Sequence, residues 1–129
     1  MNFDRRQIFL LAAAIGLIPI ALSYGAAPQH FMDKLFGIQV EDTNQVHIFR
    51  AIMGLYLALV LFWIYGAFNS DLTHAALYSL VIFMLGLAGG RVVSLLADGW
   101  PHWLLVVYLV LEVAFGVVGI ILIRSYLKK

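Results

Sequence analysis

Three ionisable residues of this chain, Arg50, Arg91 and Glu112, stand inside long apolar runs. A charge held in hydrocarbon is costly, so each is a candidate for function by default. Arginine presents a planar fork of N–H donors that matches carboxylate and phosphate groups, and a buried glutamate serves as a counter-ion or carries a proton. Helical spacing gives each of them neighbours. Arg91, Ser94 and Asp98 share one face, as do His47, Arg50 and Gly54, and so do Tyr108, Glu112, Gly116 and Gly119. The seven candidate ligand-binding residues are therefore Arg50, Arg91, Glu112, Ser94, Asp98, His47 and Tyr108. Three kinds of chemistry fit them: a satisfied polar network that fixes helix packing, a site for an anionic headgroup, carboxylate or phosphate, and a proton relay through Glu112. With two cations against one anion, Asp98 or Glu41 and Asp42 neutralise Arg50 from the rim, or a bound anion does. One turn from its helix end, Arg50 can also snorkel to the interface.

Other chemistry has little support. His30, His47 and His102 fall on one side of the expected bundle with Asp98 nearby, where a metal or haem would be held. No two histidines are spaced i, i+4, so neither metal nor cofactor is expected. The chain has no cysteine, which excludes disulfides, thiolate metal sites and covalent haem attachment. Ser94 has no histidine on its own face, and no nucleophile and base are paired, so no catalytic residue is expected.

The elements that position these residues follow from composition. Of 129 residues, 64% are hydrophobic and 12% charged, with a mean hydropathy of +0.97. Soluble domains average about 45–50% apolar and about 25% charged, and a small domain could not hide the excess. A net charge of +1 leaves no footprint for nucleic acid. Apolar runs at about residues 7–27, 46–68, 75–97 and 103–123 are each long enough to cross roughly 30 Å of hydrocarbon, and backbone in lipid must be helical. The expected fold is all-α: one integral membrane domain over residues 1–129, an antiparallel four-helix transmembrane bundle. The first run resembles a signal peptide, with Arg5 and Arg6 before it and Ser23-Tyr24-Gly25 near its end. Its apolar stretch exceeds the usual length, so retention is expected.

Basic residues set the orientation. Arg5, Arg6, Arg124, Lys128 and Lys129 flank the side holding both termini, and Lys34 alone lies outside the spans opposite. Both termini are expected in the cytoplasm, with Tyr24, Trp100 and Trp103 at the outer interface and Trp63, Tyr65, Tyr78 and Tyr126 near the inner one. Between the first two spans, Phe31, Met32, Leu35 and Phe36 share a helical face opposite Asp33 and Lys34. That pattern reads either as a short interfacial helix or as a loop capping the bundle, with Gly37 as a stop and Glu41–Asn44 as a turn and N-cap. The tight turn Ala97-Asp98-Gly99-Trp100-Pro101 makes spans three and four antiparallel neighbours. Helical side chains lean toward their own N-terminus, so Arg91 leans inward and Glu112 outward, and the two should pair. Gly86 with Gly90, and Gly116 with Gly119, are small residues for close helix approach.

The segments Phe49-Arg50-Ala51-Ile52-Met53-Gly54-Leu55-Tyr56-Leu57-Ala58, Gly90-Arg91-Val92-Val93-Ser94 and Asp98-Gly99-Trp100-Pro101 resemble a family of small bacterial four-helix membrane proteins catalogued as a domain of unknown function, distantly similar to the DoxX-like group. The resemblance implies a four-span inner-membrane protein with FRxxxGxYLA and GRxxS motifs, and no activity, substrate or cofactor. Two function classes follow. One is a non-enzymatic accessory or structural subunit, packed with membrane lipid and with other membrane subunits or copies of itself. The other is binding or transport of an anionic amphiphile (lipid, quinone-like or carboxylate) at an outer mouth lined by Arg50 and Arg91. A membrane redox component is a third.

Overall fold

The computed structural model describes residues 2–129, and among them every regular element is a helix. These are α1 (Arg5–Gly25), α2 (Pro28–Phe36), α3 (Thr43–Phe68), α4 (Ser70–Asp98) and α5 (Trp103–Leu127). All except α2 are long and apolar enough to cross a membrane, and the protein is a multi-pass membrane protein. Local chemistry sets the boundaries. Asp4 and Asp42 each accept a hydrogen bond from the third backbone N–H of their helix, and Gln7 and Gln45 return the bond, forming capping boxes. Asn69 alone separates α3 from α4, and its side chain accepts from the Asp71 N–H. Gly37 takes the left-handed conformation that favours glycine (φ 68°) and closes α2 through bonds from its own N–H to Asp33 and from the Ile38 N–H to Met32.

Consecutive long helices run antiparallel. Both termini and the α3–α4 turn share one end of the bundle, here the terminal end; α2 and the α4–α5 turn share the other, the α2 end. The helix between the first two spans forms as expected and also caps the bundle. Met32 and Pro28 are fully buried, and the Phe36 ring packs edge-on against His102 and Tyr108.

Packing is tight at the terminal end. Gly66 lies so close to α4 that an added Cβ would sit 2.5 Å from the Ala76 Cβ. Thr73 donates to the Gly66 carbonyl at 2.7 Å, and Gln7 donates to the Ala67 carbonyl at 2.8 Å. Trp63 is completely buried, donates to the Ser79 hydroxyl at 3.0 Å and meets the Phe83 ring edge-on. This corrects its expected place in an aromatic belt: its indole N–H has found a partner inside the bundle, so the side chain has no need of the interface. Gly116 and Gly119 of α5 admit Leu85 and Val81 of α4 as anticipated, whereas Gly86 and Gly90 have nothing within 4 Å of where a Cβ would be. They do not serve helix contact. They line open space.

Candidate functional site

That open space begins where α3 and α4 part toward the α2 end. A cleft of about 760 Å³ runs from Ile82 and Phe83 near mid-helix to the Asp98–Pro101 turn, walled by Ile52, Leu55 and Tyr56 of α3 and by Leu105, Val106 and Leu109 of α5. Leu55, Ile82, Gly86 and Gly90 are exposed along it, so its long side opens on the apolar flank of the bundle. Its lining is mainly apolar, with polar groups at particular depths: Arg91, Tyr24 and Tyr56 inside, Ser94 and Asp98 toward the mouth.

Arg91 and Glu112 pair as their helical lean requires. The Arg91 Nε donates to both Glu112 carboxylate oxygens at 2.9 Å, and the Glu112 side chain is 8% exposed. The Arg91 guanidinium carbon lies 5.7 Å from the centre of the Tyr108 ring, within cation–π range. Of the five N–H donors of a guanidinium, Nε supplies the one that holds Glu112. The other four, on Nη1 and Nη2, make no well-formed hydrogen bond to the protein among the described residues, and neither nitrogen is sealed from its surroundings. The Tyr24 hydroxyl lies within hydrogen-bonding reach of the guanidinium, and Tyr56 meets Tyr24 edge-on with ring centres 5.6 Å apart. A smaller pocket of about 90 Å³, bounded by α1, α3, α4 and α5, lies against the same Arg91, Glu112, Tyr56 and Tyr108.

Ser94 and Asp98 belong to the cleft. The Ser94 hydroxyl donates to Asp98 at 3.0 Å and both are exposed. Arg50 and His47 do not belong to it. Arg50 donates from Nη1 to the Gly25 carbonyl at 2.8 Å, the last residue of α1, and with His47 it borders a separate groove beside Glu41 and Asp42. The single Arg-lined mouth expected from sequence is therefore two sites. A cation on the carbonyl end of a helix is favoured by the helix dipole, so the protein partner of Arg50 is backbone and, among the described residues, not a carboxylate. His102 accepts the Leu104 N–H through Nδ1 at 3.2 Å and caps α5. His30 is exposed, with its ring against Phe31. No three His, Asp or Glu side chains converge to hold a metal among the described residues.

Sequence reasoning missed two features. Tyr24 and Tyr56 were visible as residues, but nothing in their spacing placed them beside Arg91. At the terminal end, Arg6 pairs with Asp4 at 3.0 Å, lies 4.0 Å over the Tyr126 ring and approaches His74 Nε2 at 3.5 Å, linking α1, α4 and α5. Burial opposes ionisation of Asp4, but the Gln7 backbone N–H and Arg6 outweigh it and hold its carboxyl below the ordinary value.

A family model described as "Domain of unknown function (DUF4345)" matches residues 6–123, and the chain belongs to that family. Comparisons with curated proteins and with solved structures gave no match.

Proposed function

We propose that this member of the family takes an amphiphile from the bilayer into the lateral cleft between α3, α4 and the start of α5. The observation that carries this reading is Arg91. Its charge is balanced by Glu112 through Nε, while its remaining donors lie beside the Tyr24 hydroxyl, with no second carboxylate, where Arg91 borders a mainly apolar cleft. Donors in such surroundings favour a hydrogen-bond acceptor on the ligand, and the apolar walls suit an acyl or isoprenoid chain. Five basic residues near the termini against Lys34 and Arg50 toward the α2 end support cytoplasmic termini and a cleft in the outer half of a bacterial inner membrane. Short loops and turns between the spans support a small accessory protein, which binds its ligand or passes it to a partner and performs no covalent chemistry.

The test is photo-crosslinking in vesicles with a phospholipid carrying a diazirine on one acyl chain. Adducts should concentrate on α3 and α4 residues that line the cleft, such as Ile52, Leu55 and Leu87. Equal labelling of outward residues such as Val93 and Leu96 would overturn the proposal.

A further inference from the structure

The mouth of the cleft carries a charge pattern that narrows the ligand. Helix C-termini concentrate partial negative charge on their last carbonyls and favour cations there. Three other helices comply: Arg50 bonds the last carbonyl of α1, Lys34 lies in the last turn of α2 and Arg124 in that of α5, while α3 has no basic residue in its last turn. The 29-residue α4 does the opposite. It ends on Asp98, has no basic residue in its last turn, and closes at Gly99 with φ 96° and ψ −164°. No backbone N–H from beyond Asp98 returns to its final carbonyls among the described residues. Asp98 has no cationic side chain within salt-bridge distance there; its partner is the neutral Ser94 hydroxyl. A carboxylate added to an uncapped helix C-terminus is electrostatically unfavourable, and it becomes favourable when a cation is seated on it.

The formal charge of the cleft points the same way. Arg91 and Glu112 cancel, and Asp98 leaves one net negative charge. A purely anionic headgroup at the mouth would meet this carboxylate and the negative end of the helix together. Arg91 lies seven residues back along α4, about 10 Å deeper, and its side chain leans further inward. The two polar stations are thus a cation acceptor at the rim and a donor cluster inside.

We infer that the ligand is a zwitterionic amphiphile, an aminophospholipid: its ammonium group sits on Asp98 and the end of α4, and its deeper ester oxygens accept from Arg91. The inference rests on the cleft being a ligand site, and it specifies the polar end of the occupant. Charge complementarity is the discriminating term, because the apolar walls treat all diacyl lipids alike.

The experiment is native mass spectrometry of the full chain in gentle detergent, with phosphatidylethanolamine and phosphatidylglycerol of identical acyl chains added in competition. Three proteins are compared: the unaltered chain, Asp98→Asn, and Gly86→Leu/Gly90→Leu, whose new side chains fill the cleft from positions with open space around them. The unaltered chain should retain phosphatidylethanolamine over phosphatidylglycerol by about fivefold, the worth of one partly exposed ion pair. Asp98→Asn should still bind lipid and lose that preference, and the double leucine variant should lose both lipids. Equal retention of the two lipids by the unaltered chain, or a preference unchanged in Asp98→Asn, would overturn the headgroup assignment and leave the cleft standing. Lipid retention unchanged in the double leucine variant would remove the cleft itself.

Discussion

The two ends of the bundle solve the packing problem of α3 and α4 in opposite ways. At the terminal end Gly66 and Ala76 bring the backbones together, and Trp63 and Ser79 share a hydrogen bond. Toward the α2 end two other glycines, Gly86 and Gly90, meet nothing, and the helices enclose a cleft bordered by Arg91, Ser94 and Asp98. The same residue type therefore does two jobs on one helix pair: it closes a contact in one half and widens a cavity in the other. One end is a brace that fixes the helices, and the other is shaped space that the brace holds open.

The largest effect should come from breaking the ion pair at the boundary between the halves. Arg91→Met alone leaves Glu112 buried without its partner and should cost about 3–5 kcal/mol, whereas Arg91→Met with Glu112→Met should recover most of it; thermal unfolding in detergent reads both. Next comes the contrast between the two kinds of glycine. Gly66→Leu must displace Ala76 and should destabilise by about 1–3 kcal/mol, while Gly90→Leu enters open space and should gain about 0.5–1 kcal/mol of helix propensity. Equal losses at the two sites would erase the distinction between brace and cleft. A loss of the same order as at Gly66, about 1–3 kcal/mol in the same assay, is expected for Trp63→Phe, which removes half of a completely buried indole together with its bond to Ser79.

The smallest effect is electrostatic and lies at the far end of the brace. The Asp4 carboxyl is held below its ordinary value of 3.8, so its contribution to stability is complete above that value and is lost as pH falls through the lowered folded value. An acid titration of the melting temperature should therefore show a shallow loss below pH 3.8 that Asp4→Asn removes. The asparagine retains an N-cap side chain, which isolates the effect of the charge.

How far the sequence reaches is itself explained by the membrane. The four spans, the Gly37 stop and the Asp42 cap follow from length, backbone hydrogen bonding and turn chemistry. Arg91 and Glu112 were legible as a pair because a tight turn and the lean of helical side chains leave few arrangements for them. Trp63, and the contrast between Gly86 with Gly90 and Gly116 with Gly119, were not legible. In water the core face of a helix is apolar and the outer face polar, but lipid makes both apolar, and the pattern that would tell inside from outside disappears. The protein partner of Arg50 was not legible for a different reason: it is the Gly25 carbonyl, and backbone acceptors leave no mark in a sequence.

The central claim, that the open half is a binding cleft, is tested most directly by the melting temperature in detergent with and without added phosphatidylethanolamine. A ligand that binds the folded state stabilises it by mass action, by about 2.7 kcal/mol at a hundred times its dissociation constant. The unaltered chain should rise in melting temperature with lipid, while Gly86→Leu/Gly90→Leu should start higher and not respond. The same lipid-dependent rise in both proteins would contradict the account.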